Sequence, residues 1–291
     1  MTSDTQERPQ PIERPSGMLS KVDPHLIMYH DARALHAEQY RTFRTNLVAL
    51  NKDGGPKAIV ITSSMKGEGK SVTAANLSAC IAELPATRVC LVDTDFRAPS
   101  QATLFGLEDR AGITELLGDE VSLRDVLRAT VVPGLEVLGP GREPDNPARL
   151  LGSERFVNLV NELKRRYSWV IIDTPPVNPY TDACVLATIS DGAVLVVRMN
   201  ETPRALVSSS LRNMESAGGR MLGLFLTGLE PDRDDSPRYG YYRVDPDDKQ
   251  RAREDRARLK AKRRTEKALV KQEKAYLRKQ KREEPPRPPD L

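Results

Sequence analysis

The chain has 291 residues, 38% hydrophobic, 30% charged and 5% aromatic, with a formal net charge of +4 at pH 7. That length accommodates one domain of about 200 residues plus tails, and so small a net charge implies by itself no acidic partner. No stretch approaches the ~20 apolar residues needed to cross a bilayer, and Met1 to Lys21 lacks the apolar core of a signal peptide, so membrane attachment is expected only through a partner.

Residues 1–23, rich in Pro, Ser, Thr and charge, read as disordered. Residues 24–230 carry the globular core. A helix is expected over 32–51, where Leu35, Tyr40, Phe43, Leu47 and Leu50 recur at three- and four-residue steps. Lys52 to Lys57 is a turn. Strands are then expected at 58–62, 88–93, 135–138, 169–173, 192–198 and 221–227, and helices at 70–84, 154–167, 182–189 and 202–217. Short β-branched runs alternating with amphipathic helices predict an α/β fold with a mostly parallel, doubly wound sheet. Residues 231–248 read as a loop with tyrosines, and 249–291 as a charged, basic, helix-favouring tail. Cys80, Cys90 and Cys184 fit no metal or redox spacing. His25, His30 and His36 have neither an i, i+4 pair nor a partnering cysteine, which argues against metal ligation.

The most informative segment is Ser63 to Ser71, SSMKGEGKS, between a strand and a helix. Glycines let backbone N–H groups turn inward around an anion, a lysine reaches the outer phosphates, and a hydroxyl at the helix start ligates Mg²⁺. Gly67, Gly69, Lys70 and Ser71 supply these parts, while Ser64 stands where the plain Walker A pattern has its first glycine. A P-loop NTPase with a deviant Walker A follows, with Ser64, Lys66, Gly67, Glu68, Gly69, Lys70, Ser71 and Val72 as the expected nucleotide-binding set. Two further strands end in aspartate, Leu91-Val92-Asp93-Thr94-Asp95 and Val170-Ile171-Ile172-Asp173. Parallel strands bring such ends to one rim, where Ser71, Asp93, Asp95 and Asp173 are candidates to hold Mg²⁺ directly or through water.

Together, GEGKS, the apolar-DxDxR segment Val89 to Arg97 and the apolar-DxPP segment Val170 to Pro176 resemble the bacterial tyrosine kinases of capsule and exopolysaccharide synthesis. Glu38, Arg41 and Arg44 resemble that family's E-x-x-R-x-x-R, and Asn146-Pro147 with Leu150-Leu151 its NP-x-x-LL. The resemblance implies an ATP- and Mg²⁺-dependent protein-tyrosine autokinase with Lys70, Asp93 and Asp95 as its catalytic groups. Lys70 would bind phosphates and Asp93 would take the phenolic proton, with Asp95 and Asp173 arranging the metal. Arg97 would meet a phosphate or form a structural ion pair. The implied acceptors are Tyr239, Tyr241 and Tyr242 of neighbouring copies, within a ring-like homo-oligomer held through Glu38, Arg41 and Arg44. The resemblance also implies a cytoplasmic chain held at the inner face of the plasma membrane by a transmembrane adaptor of the polysaccharide co-polymerase type. The family's tyrosine cluster usually ends the chain, whereas here a charged tail bearing Tyr276 follows. A solvated helix is the plain reading of that tail, and an anionic membrane surface its functional alternative; with Tyr276 its one aromatic, base stacking on nucleic acid is not expected. The rival function is a MinD- or ParA-like ATPase positioning cargo on membrane or DNA. Met65 stands where those ATPases carry a second lysine. A third reading is a polysaccharide-assembly scaffold without kinase activity.

Overall fold

The computed structural model describes residues 22–108 and 110–229. The expected tyrosine loop at 231–248 and the basic tail at 249–291 lie outside the described residues, as do residues 1–21.

The chain opens with α1 (Ile27–His30) and α2 (Leu35–Leu50), then β1 (Lys57–Ser63), α3 (Lys70–Ala82) and β2 (Val89–Asp93). Four short pieces follow, α4 (Gln101–Leu104), α5 (Ile113–Leu117), α6 (Leu123–Val126) and β3 (Leu127–Ala129), and then β4 (Leu135–Leu138) and α7 (Pro147–Leu151). The series ends with α8 (Glu154–Arg166), β5 (Trp169–Asp173), α9 (Asp182–Ile189), β6 (Gly192–Arg198), α10 (Arg204–Ser216) and β7 (Met221–Thr227). The seven strands form one sheet in the order β3-β4-β2-β5-β1-β6-β7. All neighbours run parallel except β3, which pairs antiparallel with β4.

The central strands are apolar on both sides because both faces are covered. Ile59, Ile61, Leu91, Ile171 and Val194 pack under α2 and α3, while Val60, Val92, Ile172 and Leu195 pack against α8, α9 and α10. α8 shows the local logic. Ser153 caps it by accepting from the Phe156 N–H, basic residues fill its last turn, and Phe156, Leu159, Val160 and Leu163 form its buried stripe. Asp191 then ties it to the sheet, accepting from the Ala58 N–H at 2.7 Å and Lys164 Nζ at 2.8 Å. α2 is anchored differently: Tyr40 and Phe43 meet the Phe225 ring of β7 at centroid distances of 5.5 and 4.8 Å.

The expected strands and long helices all form, with ends shifted by a few residues. The first long helix starts at Leu35 rather than 32, since Ala34 is already extended. The helices α1 and α4 to α7 and the strand β3 were not expected, being three to five residues long and too short for a periodic signal. Because β1 lies between β5 and β6, with β2 beyond β5, the C-terminal ends of β1, β2 and β5 open onto one crevice where the strand order reverses.

Replacing Phe225 with Ala removes the aromatic seat of α2. For this half-buried ring an unfolding free energy lower by about 2 kcal/mol is expected in urea denaturation; an unchanged midpoint would show that α2 is held elsewhere.

Candidate active site

The loop after β1 is built from turns that only some residues tolerate. Gly67 and Gly69 both sit at φ +91°, in the left-handed region, and Gly69 is the N-cap of α3. Lys70 and Ser71 are therefore the first residues of a 13-residue helix, at the positive end of its dipole. Hydrogen bonds fix the loop from several sides. The buried Glu68 carboxylate accepts from the Met65 N–H at 2.7 Å and from the Thr202 hydroxyl, and the Glu68 carbonyl accepts from Thr227 Oγ1 at 2.7 Å. The Gly67 carbonyl accepts from Arg198 Nη1 at 3.2 Å. Ser64 fills the place of the lost glycine without strain: its hydroxyl accepts from Ser210 Oγ at 2.9 Å and its carbonyl from Asn178 Nδ2 at 3.1 Å. Glu68 thus shapes the loop with its side chain turned inward, Lys66 is exposed, and Val72 packs against the core beneath α2 and α3.

The two acidic strands meet this loop. Asp93 and Asp173 are opposite each other in the β2–β5 register, and both are buried. Lys70 Nζ lies 2.9 Å from Asp95 Oδ2, 3.6 Å from Asp173 Oδ1 and 2.9 Å from the Ser71 hydroxyl. The Asp93 carboxylate accepts three backbone N–H groups, from Asp95 (3.0 Å), Ser100 (2.9 Å) and Gln101 (3.0 Å). Gln101 also donates from Nε2 to Asp173 Oδ2 at 2.7 Å and to the Ser71 carbonyl at 3.1 Å. The structure therefore brings Lys70, Ser71, Asp93, Asp95 and Asp173 into one cluster.

Its electrostatics are unbalanced, with three carboxylates around one ammonium. Burial opposes the charge on Lys70, yet Asp173 and Asp95 outweigh it and hold its pKa above the ordinary lysine value. Burial pushes the Asp93 carboxyl up to about 7, Asp173 adding to the rise and the backbone donors opposing it. Burial likewise raises Asp173, against the pull of Lys70. Asp173 Oδ1 is buried without a hydrogen-bond partner. Among the described residues no group of three or more Asp, Glu, His or Cys is arranged to hold a metal ion alone. Excess negative charge and a carboxylate oxygen that accepts no hydrogen bond fit instead a cation that arrives already coordinated by phosphates and water, as Mg²⁺ does.

Arg97 takes the structural alternative: it pairs with Asp182 at 2.5 Å and lies over the Tyr180 ring at 4.1 Å, joining the loops after β2 and β5. Glu38, Arg41 and Arg44 are not brought to the cluster. Arg41 pairs with Glu38 and with Glu83 (3.3 Å), and Arg44 with Glu83 (3.1 Å) and the Cys80 carbonyl (2.7 Å). These contacts sit at the C-terminal end of α3, about 20 Å from Lys70 along the helix. Tyr239, Tyr241, Tyr242 and Tyr276 lie outside the described residues. Sequence reasoning missed Gln101, Asn178, Thr202 and Ser210, none of which belongs to a recognisable motif.

The family model for the AAA domain matches residues 56–211. The tyrosine-protein kinase YwqD of Bacillus subtilis is 35% identical over 223 residues, covering 77% of this chain and 93% of that protein. The kinase domain of the Escherichia coli tyrosine kinase ETK superposes with a TM-score of 0.68 at 26% identity, covering 78% of this chain and 84% of that one. The cell division ATPase MinD of Pyrococcus furiosus, at 21% identity and a TM-score of 0.51 over 68% of this chain and 79% of its own, shares the fold.

A carboxyl whose pKa folding raises binds more protons in the native state than in the unfolded chain. Its contribution favours the fold at low pH and is lost as pH rises through the native value, about 7 for Asp93. Asp173→Asn, which removes one of the coupled charges, is expected to raise the melting temperature of the nucleotide-free protein by about 2–6 °C near pH 8. Calorimetry should show the gain shrinking toward about pH 4, where the wild-type pair carries protons; a gain independent of pH would contradict this electrostatic picture.

Proposed function

The chain belongs to the bacterial protein-tyrosine kinases of capsule and exopolysaccharide synthesis, and on that premise we propose that it passes the γ-phosphate of ATP to tyrosines near the C-terminus of neighbouring copies. The observation that carries the site assignment is the single buried ammonium of Lys70, shared by Asp95 and Asp173 at a helix N-terminus.

Phosphoryl transfer asks mainly for positioning and charge neutralisation. In this reading Lys70 exchanges Asp95 for the outer phosphates of ATP, while the inward N–H groups of the Gly67–Gly69 loop hold the rest of the chain of phosphates. Ser71, with Asp95 and Asp173 directly or through water, would hold Mg²⁺, which when bound offsets the charge of the phosphates. The tyrosine oxygen attacks the γ-phosphorus, the bond to the β-phosphate oxygen breaks, and the phenolic proton leaves for Asp93. A pKa of about 7 suits that acceptor at neutral pH. Its three backbone donors leave one of about four carboxylate lone-pair positions open for the proton.

The remaining assignments are part of the same proposal. Subunit contact through Glu38, Arg41 and Arg44 in a ring of copies must add to, or replace, the pairs these residues make with Glu83. Placement at the membrane through a transmembrane adaptor is part of the same family-based proposal; among the described residues no helix is long and apolar enough to cross a membrane. The basic tail at 249–291 would meet an anionic lipid surface. The MinD-like alternative rests on fold likeness alone.

Incubation of the purified chain with ATP and Mg²⁺ tests the reading. Lys70→Met is expected to lower phosphotyrosine at least ~100-fold, and combined Tyr239→Phe, Tyr241→Phe and Tyr242→Phe to remove most of it. Full signal in Lys70→Met would discard the mechanism. An unchanged signal in the triple variant would move the acceptors, with Tyr276 next to be mapped.

A further inference from the structure

One fully buried residue, Gln101, contacts two of the three site aspartates. The Gln101 backbone N–H binds Asp93, its amide nitrogen binds Asp173 at 2.7 Å, and the same nitrogen binds the Ser71 carbonyl at 3.1 Å. Lys70 also spans these elements, through its charge; Gln101 does so through a neutral group. The orientation of the amide follows from its partners: both are acceptors, so only the NH₂ end can face them. That leaves Gln101 Oε1 buried without a hydrogen bond, alongside Asp173 Oδ1, which has none either and lies 3.6 Å from Lys70 Nζ. A buried acceptor oxygen left without a partner forfeits its hydration with nothing in return. Neither oxygen accepts a hydrogen bond, and Lys70, the ammonium in this cluster among the described residues, is divided between Asp95 at 2.9 Å and Asp173 Oδ1 at 3.6 Å, which leaves the cluster short of positive charge.

The residue type is informative. Lys or Arg at this position would neutralise Asp173 and compete with a metal. Glu would add a fourth carboxylate to a cluster that already has three. A neutral amide can hold one Asp173 oxygen while leaving the carboxylate's charge unspent. We propose that Gln101 is a positioning residue of the site, orienting Asp173 so that a hydrated divalent cation accompanying the nucleotide can bind. The proposal rests on the kinase reading only for the identity of the nucleotide.

The test is equilibrium binding of a fluorescent ADP analogue to the full chain, titrated with Mg²⁺, with melting curves to confirm folding. Gln101→Ala should leave Mg²⁺-free affinity within about twofold while raising the Mg²⁺ needed for half-maximal enhancement about tenfold or more, as loss of an outer-shell partner does. Gln101→Glu, equal in shape, should match this defect near about pH 8.5 and recover toward wild type near about pH 6, where a protonated carboxyl can donate to Asp173. This second variant decides the matter if Gln101→Ala does not fold. A Mg²⁺ response unchanged in both variants would overturn the proposal, as would equal losses of Mg²⁺-free and Mg²⁺-bound affinity with no recovery at low pH. Absence of phosphotyrosine from the wild type would count against the kinase reading alone, because these binding outcomes do not depend on transfer.

Discussion

Three buried carboxylates share one buried ammonium at the rim of the sheet, and the rest of the architecture serves that imbalance. Adjacent strands lie about 4.8 Å apart, and Asp93 and Asp173 end neighbouring strands in matching register. Two carboxylates so placed, away from water, cannot both ionise freely. The pair therefore holds on to protons at pH values where an exposed aspartate has none, and Lys70 is divided between Asp95 and Asp173. By itself the arrangement works against stability. It becomes balanced when a phosphate chain draws Lys70 away and a divalent cation meets the carboxylates.

Such a cluster needs a rigid mount, and the rigidity comes from groups that stand outside it. The phosphate loop is pinned through Glu68 by Met65, Thr202 and Thr227, and through Ser64 by Ser210 and Asn178. Its glycines supply the left-handed turns that aim the start of α3. Arg97 and Asp182 lock the two acidic loops to each other from outside the cluster. These bonds and the Arg97–Asp182 pair fix position from outside the cluster of Lys70, Asp93, Asp95 and Asp173.

The sheet and the cluster were legible in the sequence for a simple reason. β-branched runs such as AIVIT and WVIID sit in strands buried on both faces, and an aspartate or GKS at each C-terminal end has only one rim to reach. Short elements were not legible: α4 is one turn long, set by the Asp93 carboxylate that accepts its first N–H groups rather than by any periodicity. Gln101 stands in that turn and carries no motif. Ser64 read as a departure from the Walker pattern, and its compensation lies 146 residues away in Ser210. The Glu83 partner of Arg41 and Arg44 was likewise out of reach, since E-x-x-R-x-x-R says what the arginines can bind but not what lies beneath them in the fold.

The central claim is that the Asp93–Asp173 pair surrenders its proton when the nucleotide and its cation bind. Isothermal titration of Mg²⁺-saturated ADP into the protein, repeated in buffers of different ionisation enthalpy, counts that proton directly. Near about pH 6.5 the account predicts net proton release, decreasing as pH rises past the value of about 7 held by Asp93. Binding heats that are the same in every buffer near neutrality would contradict it.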